Sequence, residues 1–192
     1  MVAEEGWKIS DFVYGLIVPC IVALVIMLIP VYVGPALTAY SPLDYIFTIG
    51  FAEALLTIAI PLLFGLLWNQ WAGGCSGFLL GSIYYLAIST YYGMAGDLGL
   101  IGYVVTAMFI GYTAGALNKK SQSFMRMLIS SLIAGIIAGI LQFYFYGFST
   151  SPMATGLYGF AITLTPKIIY AIIVPVIAKV FIWYNVLPRR PA

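Results

Sequence analysis

Six apolar runs, each close to twenty residues, the first five joined by short connections, leave this chain few ways to fold. They lie at about 11–33, 44–67, 75–92, 100–117, 124–147 and 166–187. About twenty residues of helix cross a hydrocarbon core of about 30 Å, and a spanning segment must satisfy its own backbone hydrogen bonds. The expectation is therefore an all-α integral membrane protein, a single six-helix bundle over residues 1–192. Composition supports this where it bears on solvent. Charged residues make up 7% of the chain and apolar ones 63%, which cannot coat a water-soluble surface. The bilayer is the expected partner. A formal net charge of +2 offers no argument for nucleic acid.

The basic residues orient the runs. Lys8 precedes the first, Lys119, Lys120 and Arg126 flank the fourth-to-fifth connection, and Arg189 and Arg190 follow the sixth. Six spans place these three sites on one side, so the positive-inside rule puts both termini in the cytoplasm of a plasma-membrane protein. Trp7, Trp68, Trp71 and Trp183 then fall at the inner interface, and Tyr91, Tyr92, Tyr144 and Tyr146 at the outer ends. The start, MVAEEGWKIS, has no basic stretch before the first apolar run, which is read as a retained span. Seven spans would separate the basic clusters.

Several chemistries are excluded at the level of residue types. There is no histidine, so His-ligated metals, His-ligated haem and His-based triads are ruled out. Cys20 and Cys75 fall at different depths and form no CxxC pair. No nucleophile–base pair, metal cluster or phosphate loop can be assembled, so an enzyme is not expected and no cofactor is implied. Small residues four apart mark Gly73, Gly77 and Gly81, then Ala107, Gly111 and Gly115, then Ser131, Gly135 and Gly139. Such ladders let helices approach closely in lipid. They serve either internal packing or docking of another membrane subunit.

The charges inside the runs are the candidates for function. Glu53 lies about 13 Å from the outer end of the second run by helix rise, near the bilayer centre. It is either protonated or paired there. Lys179, about 20 Å inward along the last run, either snorkels to the inner interface past Trp183, reaches Glu53, or lines an ion or proton path. Thr165 and Pro166 read as a cap and first turn, which places Lys167 at a helix start, where the macrodipole disfavours a cation. Lys167 is then met either by Asp44 or Asp97 in a surface ion pair, or by an anionic or polar ligand. Tyr92 and Tyr146 supply walls to such a cavity, or belong to an interfacial belt. The preceding stretch, FSTSPMATGLYGFAITL (148–164), reads as an ordered loop or half-inserted helix.

The stretches GFLLGSIYYLAI, GYVVTAMFIGYTAGALNKK and TPKIIYAIIVPVIAKVFIW resemble the substrate-binding S-component of energy-coupling-factor vitamin transporters. The resemblance covers roughly Gly73 to Trp183 and lies in hydropathy and glycines. It implies a six-helix bundle that takes a vitamin or metabolite from outside, coupled to a separate membrane subunit and a pair of ATPases. By position, it makes Lys167 the ligand contact, with Asp97 and the loop around Tyr158 beside it. Where the family shows small residues four apart for docking in its first span, this chain reads GLIVPCIVA, with Pro19 four after Gly15. The family's cobalt and nickel members use an N-terminal histidine, which this chain lacks. The expected function is a substrate-binding subunit of an uptake transporter. The alternatives are a non-catalytic accessory subunit of a larger membrane complex, such as a respiratory or oxidase-like assembly, and an ion channel or Glu53-dependent carrier.

Overall fold

Every regular element in the described part of the chain is a helix, for a reason the sequence makes plain. Leu, Ile, Ala and Gly at high density provide no alternation for a half-buried strand, and long apolar segments satisfy their backbones only by coiling. The computed structural model describes residues 52–91, 98–148 and 156–184, together with Val13, Ile17, Val18, Ile21 and Val25. The first apolar run and both termini thus lie largely outside the described residues, as do Asp44, Tyr92 and Asp97.

Residues Ala54–Ala59 form a π-helical segment that continues into α1, Ile60–Leu67. Pro61 stands at the junction and carries no N–H, so the ordinary ladder cannot continue through it. The Thr57 hydroxyl donates to the Glu53 carbonyl at 2.7 Å and occupies an acceptor in the widened turn. Helix α2, Gln70–Tyr91, starts after Asn69, whose Oδ1 accepts from the Ala72 N–H at 2.8 Å. WNQWAGG is therefore mostly the first turns of α2, which begins five residues before the expected boundary at Cys75. Helix α3 is Leu98–Asn118 and α4 is Phe124–Tyr146.

The last helix, α5, runs Gly156–Trp183. This corrects the expectation of a loop or half-inserted helix up to Leu164 and of a helix start at Pro166. Both Pro166 and Pro175 lie inside α5. A proline there frees one carbonyl, which a helix packed among others tolerates. Thr165 therefore caps nothing, and Lys167 is the twelfth residue of the helix, about 16 Å from its start by helix rise.

Helices α3, α4 and α5 are each long and apolar enough to cross a membrane. The bundle is built on backbone contact. A Cβ on Gly73 would overlap the Gly111 carbonyl, and one on Gly77 the Ala107 carbonyl. One on Gly81 would stand 2.9 Å from the Tyr103 oxygen. Gly135 and Gly139 similarly seat α4 on Lys167, Ala171 and Leu164 of α5. All three small-residue ladders thus pack within the chain, the first of the two readings that the spacing left open. Around these seams, Ile58, Leu62, Leu80, Ile110, Met127 and Val174 fill the core. Outward-facing Ile129, Ile133, Ile136, Ile140, Ile172 and Val176 present the branched apolar surface that lipid accepts.

Candidate functional site

Two places in the bundle hold charge, and they differ in depth. At one end, α3 stops at Asn118, whose Nδ2 donates to the Leu66 carbonyl at 3.1 Å and to the Ser121 carbonyl at 3.2 Å. Lys119 and Lys120 follow with φ of 48° and 59°. Their cations lie just past a helix C-terminus, where the macrodipole favours them. Arg126 reaches back to the Leu117 carbonyl from Nε and Nη2, at 3.3 Å each. Lys179 of α5 donates to the Gln122 carbonyl at 3.0 Å. The Lys179 ammonium thus reaches to the α3–α4 turn rather than to Glu53, a direction that suits the snorkelling reading. Four cations gather here, flanked by exposed Trp71 and Trp183. Among the described residues the opposite end carries none.

The second place is inside. Lys167 is 3% exposed, in the middle of α5. Its side chain points toward the helix start, as helical side chains do, and its Nζ donates to the Thr163 carbonyl at 3.1 Å. The charge it meets is Glu53, which enters the π segment from across the bundle. The two act on each other electrostatically, with no direct ion pair between them. Neither Asp44 nor Asp97, the expected partners of Lys167, lies among the described residues.

A band of hydroxyls and amides surrounds this couple. The Tyr84 hydroxyl of α2 donates to Glu53 Oε2 at 3.5 Å. Tyr84 meets Tyr103 of α3 edge-on, with ring centroids 5.1 Å apart. The Tyr103 and Tyr146 hydroxyls are hydrogen-bonded to one another, their rings 6.0 Å apart and nearly perpendicular. Deeper between α3 and α4, the single hydroxyl proton of Thr106 goes either to the Gln142 Oε1 or to the Gly102 carbonyl, each 2.6 Å from its Oγ1. Gln142 is 1% exposed and its Nε2 has no hydrogen-bond partner among the described residues. An unsatisfied buried donor costs about 1–3 kcal/mol, so this amide needs an explanation.

Of the residues expected to form a site, the structure brings together Lys167, Glu53 and, through Tyr103, Tyr146. Tyr158 lies apart. It is 72% exposed in the first turn of α5, nine residues from Lys167. Lys179 belongs to the basic end. Tyr84, Tyr103, Thr106 and Gln142 were not anticipated. Gln142 offered a signal, a primary amide within an otherwise apolar span; the two tyrosines did not, because tyrosine is equally at home in an interfacial belt. Among the described residues no His, Cys, Asp and Glu cluster could hold a metal.

The arrangement gives an apolar bundle one acid, one base and a train of neutral donors within a single band, nearer the cation-free end than the basic one. Such a band can bind a polar or ionised small molecule, or move a proton. No family model, curated protein or solved structure matches this chain.

Proposed function

We propose that this chain is the substrate-binding membrane subunit of a small-molecule uptake transporter, a six-span plasma-membrane protein with both termini in the cytoplasm. It is not itself an enzyme and works with other membrane subunits, as its resemblance to energy-coupling-factor S-components implies. The observation that supports this reading is the band of Lys167, Glu53, Tyr84, Tyr103 and Gln142, whose Nε2 is unpartnered among the described residues, inside a bundle whose core is otherwise largely apolar. Polar groups are expensive at that depth and are kept where they meet a ligand or one another. The gathering of Lys119, Lys120, Arg126 and Lys179 at one end supports the inward assignment of that end.

The ligand class that suits the band is a metabolite with an anionic or acceptor edge for Lys167 and Gln142 and a ring for the tyrosine faces. The test is calorimetry of the purified chain in nanodiscs against a panel of vitamins and related metabolites. The expected outcome is binding of one panel member, weakened at least tenfold by Lys167→Ala and by Gln142→Leu. Absence of binding across the panel removes the proposal. The accessory-subunit reading draws on the chain's small size, its lack of redox ligands and its three small-residue faces, the last of which are occupied by the chain's own helices. Isolation of a stable stoichiometric partner unrelated to any ATPase module would favour it.

A further inference from the structure

The couple between α5 and the π segment has a property that ligand binding does not require. Among the described residues Glu53 is the one acid and Lys167 the one buried base, and they do not touch. A buried ion pair offsets its desolvation only with close geometry and with hydrogen bonds to the remaining donors and acceptors. Neither condition is met. The Lys167 ammonium has three donors and gives one to Thr163. The Glu53 carboxylate accepts one long bond, from Tyr84. The uncharged couple, carboxylic acid and amine, is reached by moving one proton and leaves nothing ionised in the apolar core.

A route for that proton to leave the core lies beside it. The Tyr84 hydroxyl faces Glu53, and the Tyr103 hydroxyl lies within electrostatic reach of both. Tyr103 is bonded to Tyr146, the last residue of α4, which is half-buried at the cation-free end of the bundle. Among the described residues, the helices packed against the π segment turn Tyr84 from α2, Tyr103 from α3 and Lys167 from α5 toward Glu53, and Tyr146 of α4 joins through Tyr103. Thr57, on its own element, is turned to a backbone carbonyl.

We propose that Glu53 is a proton-binding site in exchange with Lys167, connected to the cation-free end of the bundle through Tyr84, Tyr103 and Tyr146. On uptake from water, an O–H bond forms at Glu53 as one breaks at Tyr84. The Tyr84 oxygen is reprotonated from Tyr103, and Tyr103 from Tyr146, which takes its proton from water. On internal exchange, which the separation of the two groups routes through a water between them, an N–H bond of Lys167 breaks as an O–H bond of that water forms, and another O–H bond of the water breaks as that of Glu53 forms. Nothing is oxidised or reduced. The inference does not rest on the proposed transport role, and it is tested on protein without ligand.

The chain has three glutamates, Glu4, Glu5 and Glu53. In an E4Q/E5Q chain grown on glutamate labelled with carbon-13 at the side-chain carboxyl, Glu53 alone reports, and the core is untouched. The carboxyl signal of this protein in nanodiscs, followed by NMR across pH, is expected to titrate with a midpoint displaced from that of free glutamate. That midpoint should move on Lys167→Gln, and the signal should shift on Tyr84→Phe. Proton–deuteron exchange at the carboxyl, followed by infrared spectroscopy, should slow severalfold in Tyr103→Phe. A titration matching free glutamate and indifferent to Lys167→Gln would overturn the site. Exchange in Tyr103→Phe at the rate of the parent would overturn the connection.

Discussion

Lys167 and Lys179 stand twelve residues apart on one apolar helix, and the protein treats them in opposite ways. Lys179 is close enough to the end of α5 for its stem to lie along apolar surface while the ammonium reaches the Gln122 carbonyl. Lys167 is enclosed at mid-helix, with a carbonyl of its own helix and a carboxylate across the bundle as its surroundings. The same residue type is an interface anchor in one place and a buried charge centre in the other. Depth makes the difference, because a four-carbon stem spans only about one helical turn of apolar surroundings.

Experiments that remove one lysine at a time bear directly on this contrast. Lys167→Met removes the polar group that acts on Glu53 from across the bundle. It is expected to destabilise the folded chain by about 1–3 kcal/mol, the range for a buried polar group left without its partner. Adding Glu53→Gln should recover most of that loss. Reversible unfolding in mixed detergent micelles measures both, and a double variant no more stable than the single one would break the link between the two residues. Comparable in size is a test of the rigid frame that holds the couple. Gly77→Ala places a methyl group on the Ala107 carbonyl, a backbone atom with no rotamer to retreat into. The expected cost is about 3 kcal/mol, at the upper end for overpacking. Thermal melting in nanodiscs reads it, and an unchanged melting temperature would mean that the α2–α3 seam is looser than described.

Smaller effects sharpen the comparison. Thr106→Val removes the hydroxyl that can donate to Gln142 and leaves a second atom of that amide unsatisfied. A loss of about 1–2 kcal/mol is expected from the same unfolding measurement. Thr106→Ser, which keeps the hydroxyl, should cost less than Thr106→Val. Lys179→Gln retains a donor for the Gln122 carbonyl at the wet end, and its stability should change by no more than about 0.5 kcal/mol. A large loss there would place Lys179 with Lys167 and dissolve the distinction.

The helices were legible to different degrees, and for physical reasons. For α2, α3 and α4 the apolar runs predicted the elements to within a few residues, since twenty apolar residues bounded by Gly, Asn or Ser admit little else. The start of α5 was not legible. Thr165 and Pro166 make a good helix start in water, and Ser, Thr and Gly upstream look like a loop. Inside a bundle a proline costs less, so the helix runs through it from Gly156. That ten-residue extension carries Lys167 from a helix start to mid-helix and changes which acid it meets.

The amino-acid sequence alone determined the apolar composition, the helical class, the close-packing faces and the presence of a carboxylate within an apolar run. Each of these follows from composition or from spacing along one helix. Only the tertiary structure decided that Glu53 faces Lys167, that Lys179 joins the basic turn, and that Tyr84, Tyr103 and Tyr146 form a train. Those relations depend on how α1 to α5 rotate about their axes when their glycines meet, and helix periodicity by itself does not specify which apolar face turns to which neighbour.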